Sequence, residues 1–153
     1  PLFSHAVISG GTIYVAGTVG VNMTSVRDGR PTLCAGGIKA ETACAFAMIG
    51  EVLKAAGPGT TLDNILDCEF APLSSSCHAV AVLIHRHTSY TRQRRAHGTS
   101  AGTVFVGDLA RDYAPLNEAY TKIFPKDPPA RAAFGAKGLA LNAAAEFKCV
   151  AAL

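Results

Sequence analysis

The chain has 153 residues, enough for one domain with one ordinary hydrophobic core. Hydrophobic residues make up 49% and charged residues 16%, which excludes disorder of the chain as a whole and implies that part of so charge-poor a surface is buried against other copies. The net charge is only +3, and no apolar run approaches the roughly 20 residues that a membrane-spanning helix needs.

Residues 5–9 and 12–16 read as strands around Gly10-Gly11, a two-residue hairpin signal. Residues 22–37 hold Asn, Ser, Asp, Gly and Pro and read as a loop. A helix is predicted over 38–56, where Ile38, Ala45, Ile49, Val52, Leu53 and Ala56 fall on one face. Gly57 is its expected C-cap and Pro58 blocks continuation. Strands follow at 65–68 and 103–106. Asp112 is the expected N-cap of a second helix over 113–124, with Leu116, Ala119, Tyr120, Ile123 and Phe124 on its buried face. Pro125, Pro128 and Pro129 close it. Residues 131–136 and 143–151 are two more strands, and in the last Ala145, Phe147, Cys149 and Ala151 alternate with Glu146, Lys148 and Val150. The pattern predicts an α+β domain over 1–153 with both helices on one face of a sheet.

Residues 69–102 break this rhythm. They carry four of the five histidines and four arginines against one acid, Glu69. Outside them ten basic residues (14 minus 4) face ten acidic ones (11 minus 1), so the whole +3 resides in this segment. Joining Cys68 to Thr103 gives one continuous eight-residue strand, so 69–102 reads as an insertion into a strand. Phosphate contacts by Thr91-Arg92-Gln93-Arg94-Arg95, or zinc held by Cys77, His78, His85 and His87, are the functional readings. The spacing matches no common zinc pattern, and a solvated loop is favoured. Translated non-coding sequence is a third reading.

The five cysteines are odd in number and form no C-x-x-C pair. A disulfide framework is therefore not expected, and reduced thiols in the cytoplasm or an organelle matrix fit better. The chain starts at Pro1 rather than Met, and a targeting peptide is not readable from it.

Two charged residues carry the chemistry. Arg131, in Pro129-Ala130-Arg131, offers a planar fork that grips a carboxylate through two parallel hydrogen bonds. Glu146 interrupts an apolar run 15 residues later (146 minus 131), where a half-buried carboxylate can orient water and exchange protons with it. Taken alone, each also fits a surface residue on a strand. A pair at that separation can share one pocket.

The order of Gly37-Ile38, Leu53-Lys54-Ala55-Ala56-Gly57, Val104-Phe105-Val106-Gly107-Asp108, Asn117-Glu118-Ala119-Tyr120, Pro129-Ala130-Arg131 and Glu146-Phe147-Lys148-Cys149-Val150-Ala151 resembles the Rid family (YjgF-type reactive intermediate imine deaminases). The resemblance covers everything outside 69–102. It implies a chorismate-mutase-like fold, a homotrimer with active sites between subunits, and hydrolysis of 2-imino or 2-enamino acids to 2-keto acids and ammonia without metal or organic cofactor. On this resemblance Arg131 holds the substrate carboxylate and Glu146 handles water. Phe3, Gly17, Asn117 and Ala133 line the substrate. The chain departs from the family pattern at Phe3 (usually Tyr), Ala16 (Ser), Ala133 (Cys), Ala140 (Pro) and Lys148 (often an acid). His5 stands where Gln is common and reads as an ordinary strand histidine. The implied partners are a small imino or keto acid and further copies of the chain, with no membrane or nucleic acid. A non-catalytic carboxylate binder and an RNA-acting member (ribonuclease or translation inhibitor) are the alternatives. Charge balance outside 69–102 argues against an RNA surface.

Overall fold

The computed structural model describes residues 3–27, 29–69 and 103–153. Nine strands and two α-helices occur among them: β1 (Ala6–Ser9), β2 (Thr12–Val15), β3 (Thr18–Val19), β4 (Val21–Arg27), β5 (Arg30–Leu33), α1 (Gly37–Ala56), β6 (Ile65–Glu69), β7 (Thr103–Val106), α2 (Leu109–Ile123), β8 (Ala130–Gly135) and β9 (Ala145–Ala152). The expected α+β class is observed.

The main sheet is built around β9. On one side β2 and then β3 pair with it antiparallel, and β1 forms a hairpin with β2. On the other side β6 and β7 pair with β9 end to end, and β8 runs parallel to both along the outer edge. Glu69 and Thr103 are both register partners of Lys148, while Cys68 and Thr103 face the consecutive residues Arg131 and Ala132. β6 and β7 therefore occupy one strand position without a missing rung. The phosphate and zinc readings of residues 77–95 lie outside the described residues.

Both helices cover one face of this sheet. Ile38, Ala45, Ile49 and Leu53 of α1 and Leu116 and Tyr120 of α2 share one core with Ile13, Val15, Val104, Val106, Phe147 and Ala151. Phe46 sits at the centre, its ring 4.9 Å from Phe147, 5.2 Å from Phe124 and 5.8 Å from Tyr120. Such pairs add about 0.5–1.5 kcal/mol each beyond simple burial. An ion pair between Lys39 and Glu118 links the helices at the surface.

Three expectations are corrected. The 22–37 loop contains the β4–β5 hairpin, which turns through Gly29 at φ 74°. Its strands were masked by polar residues; Asn22, for example, spends its side chain on the Thr24 backbone N–H. α2 begins four residues early, because Asp108, not Asp112, is the N-cap and accepts from the Arg111 N–H at 3.1 Å. Disulfides join Cys34 to Cys44 and Cys68 to Cys149. The second bond spans 81 positions and depends on β6 lying beside β9, a pairing that cysteine spacing does not encode.

Candidate active site

Arg131 lies on the edge strand β8, and its guanidinium reaches back to α2. Nη2 donates to Asn117 Oδ1, and the guanidinium carbon sits 4.4 Å above the centre of the Tyr120 ring. The ring belongs to the Phe46 cluster, so a core aromatic forms the floor of the site. Nη1 is buried and has no hydrogen-bond partner among the described residues. Burial pulls the guanidinium pKa below its ordinary value, opposed by the nearby Tyr120 and Tyr113. Arginine still carries its charge under these conditions. The site therefore holds a fixed, partly desolvated cation with one unused donor arm. Ala133, two residues along β8 and on the same face, is half-buried beside it.

Glu146 lies elsewhere. Arg131 is in register with Cys68, and Cys68 with Cys149, so these three share the helix-covered face. Glu146 is an odd number of residues from Cys149 on β9 and points to the opposite face. The burial pattern of β9 agrees, with Ala145, Phe147 and Cys149 buried while Glu146 and Lys148 are more accessible. Within one protomer, then, the Arg131 fork and the Glu146 carboxylate do not share a pocket, and strand alternation is the reason.

The Glu146 side has its own geometry. β3 pairs Val19 with Glu146, and a Cβ placed on Gly17 would stand 2.0 Å from Glu146 Oε1. Glycine leaves the space that the carboxylate fills. Burial raises the Glu146 pKa. The sequence-derived set thus divides into two groups, Arg131 with Asn117 and Ala133, and Glu146 with Gly17. Phe3 joins neither; it is 63% exposed and rests edge-on against His5.

No family model matches the chain. The RutC family protein UK114 of Drosophila melanogaster is 26% identical to it over 149 residues, covering 97% of this chain and 78% of that protein. The 2-iminobutanoate/2-iminopropanoate deaminase of Homo sapiens is 27% identical over the same coverage. RidA from an Antarctic Psychrobacter matches the fold with a TM-score of 0.64 at 21% identity, covering 100% of this chain and 89% of that one. The chain is thus similar in sequence to a RutC family protein and to imine deaminases, and similar in fold to RidA. Of the residues that the resemblance singles out, Arg131, Glu146, Asn117 and Gly17 are present, while Ala16 and Ala133 bring no side-chain polar group to either half of the candidate site.

Sequence reasoning placed Tyr120 only on the buried face of α2 and left Tyr113 and Glu41 aside. Helical periodicity shows which face is covered, not what lies over a ring. Glu41 did leave a signal, because it falls three residues after Ile38 on the apolar face of α1, where a carboxylate is out of place.

Proposed function

We propose that this chain hydrolyses reactive 2-imino and 2-enamino acids to 2-keto acids and ammonia. One observation carries the reading: Arg131 Nη1 is a buried donor with no hydrogen-bond partner among the described residues, on a guanidinium already held by Asn117 and Tyr120. A buried unpaired donor is costly, and a substrate carboxylate would satisfy it with a charge-assisted bond. Water then attacks the imine carbon. The C–O bond forms, the C=N π pair moves to nitrogen, and Glu146 accepts the water proton. Glu146 returns that proton to nitrogen to give the neutral carbinolamine, then takes the hydroxyl proton and passes it to nitrogen, so that the C–N bond breaks and ammonia leaves as the C=O bond forms. Oxidation states are unchanged, so the reaction calls for no redox partner. A carboxylate with a raised pKa suits a group that both takes and returns a proton.

Because the two residues lie on opposite faces, the proposed site is composite, with Arg131 of one copy meeting Glu146 of the next in a homotrimer. The exposed apolar pair Val7 and Tyr14 supports self-association: they are register partners, 58% and 47% exposed. The domain would be a single Rid unit over 1–153, interrupted at 69–102. The collinearity of β6 and β7 supports that reading. No nucleic-acid partner is proposed. No helix among the described residues is long and apolar enough to cross a membrane. A cytoplasmic or organelle-matrix location is the expectation against which the two disulfides weigh.

Non-catalytic carboxylate binding is the second reading, favoured by the same separation, since a lone protomer has the Arg131 clamp without Glu146 beside it. The test is ammonia release from an enzymatically generated 2-imino acid by the purified chain, alongside 2-keto acid binding. Acceleration over the spontaneous rate is expected. Keto acid binding with no acceleration would replace hydrolysis by binding.

A further inference from the structure

Glu41 is a carboxylate buried to 6% exposure within the apolar face of α1. Its Oε2 accepts from the Ala144 N–H at 2.6 Å. The Ala144 carbonyl in turn accepts from the Gly107 N–H at 2.9 Å, so this residue is held through both its N–H and its carbonyl. Ala144 immediately precedes β9, two residues before Glu146. Glu41 also meets the other flank of Glu146 through its own backbone. A Cβ on Gly20 would stand 2.0 Å from the Glu41 carbonyl oxygen, and Gly20 directly follows Val19, the register partner of Glu146. One residue of α1 therefore touches both segments between which Glu146 is held. Besides the Gly107 bond, the first of them is held by the Ala143 N–H donating to the Ala140 carbonyl at 3.1 Å. A cavity of about 530 Å³ borders the Glu41 bond, lined in part by Glu41, Gly138, Asn142, Ala143 and Ala144. Without the Glu41 hydrogen bond, the segment leading into β9 has space to move into.

We infer that Glu41 is a positioning residue for Glu146, its side chain fixing the lead-in to β9 and hence where the Glu146 carboxylate stands. Glu41 does not touch the proposed substrate, and its effect falls on Glu146, which lies on the opposite face of the sheet from the Arg131 clamp. The inference rests on the hydrolytic reading for its kinetic consequence but not for its structural one.

The experiment compares Glu41→Leu, Glu41→Asp and Glu41→Gln in the full chain. Leucine removes the acceptor, aspartate keeps the charge but falls one methylene short, and glutamine keeps an acceptor oxygen at the same reach. Two readouts are taken. The first is kcat and KM for imine hydrolysis. The second is the carboxyl carbon NMR resonance of Glu146 at fixed pH, which needs no activity. The Leu and Asp variants should lose kcat by roughly 10- to 100-fold with KM little changed, as expected for a reacting group moved by about an ångström. The Glu146 resonance should shift in both, and the Gln variant should restore both readouts. If leucine does not fold, the aspartate variant decides. An unmoved Glu146 resonance and unchanged kcat in a folded Leu or Asp variant would overturn the proposal. A wild-type chain that releases no ammonia would count against hydrolysis alone, and the resonance would still decide the role of Glu41.

Discussion

The Glu146 carboxylate occupies the space that a side chain on Gly17 would fill, its Oε1 2.0 Å from where a Cβ would be. Gly20, three residues on, faces the backbone carbonyl of Glu41 at the same separation. The two glycines thus predict different outcomes for one substitution. Gly17→Ala meets the movable end of a side chain, so stability should change by no more than about 0.5 kcal/mol while turnover collapses as Glu146 is displaced. Gly20→Ala meets helix backbone, so the chain should lose about 1–3 kcal/mol or more. Denaturant midpoints and ammonia release on both variants check the contrast. Equal loss of stability in the two would contradict it.

Arg131→Ala should remove carboxylate binding. A hydrogen bond to a charged group is worth about 1.5–3 kcal/mol, which predicts at least a roughly tenfold fall in kcat/KM. Arg131→Lys keeps the charge but neither the fork nor the flat contact with Tyr120, and should also be impaired. Asn117→Ala frees Nη2 and should raise KM more than it lowers kcat. Calorimetric titration with a 2-keto acid measures the binding part directly. Unaltered affinity in Arg131→Ala would remove Arg131 from the site.

Glu146 acts as a base only when ionised, and burial raises its pKa. Activity should therefore fall as pH drops, along a limb centred above the ordinary glutamate value of about 4.3. Glu146→Gln should bind keto acid normally, turn over slowly and lack this limb. The stability effect has the opposite sense. The folded state holds the Glu146 proton more tightly than the unfolded chain, so ionising it costs stability as pH rises through the folded pKa. Denaturation curves of wild type and Glu146→Gln across that range should converge at low pH.

The disulfides predict a thiol count. Four of the five cysteines are paired, so denatured, unreduced protein should titrate at most one thiol (5 minus 4), and reduced protein five. Five thiols before reduction would show that the pairs do not form in solution.

Much of this architecture is written locally. α1 was readable because 20 residues carry one helical period and Gly57-Pro58 ends it. β9 was readable because its burial alternates around Phe147. The β4–β5 hairpin was not, since its strands present Asn, Thr, Ser and Arg rather than an apolar alternation. The Arg131 and Glu146 residue types were legible, yet their separation onto two faces was not. Parity along β9 is visible in the sequence, but the parallel pairing of β8 with β6 decides which face Arg131 shares, and pairing is a long-range property. Cys68 and Cys149 were hidden for the same reason.

The central claim is that Arg131 of one copy works with Glu146 of another, and subunit mixing tests it most directly. Arg131→Ala and Glu146→Gln proteins, each inactive alone, are unfolded together and refolded at equal ratio. In a cyclic trimer with one site per interface, random assembly should restore about a quarter of wild-type activity, because that share of interfaces pairs an intact Arg131 with an intact Glu146. Mixed oligomers that form but stay inactive would contradict the composite site.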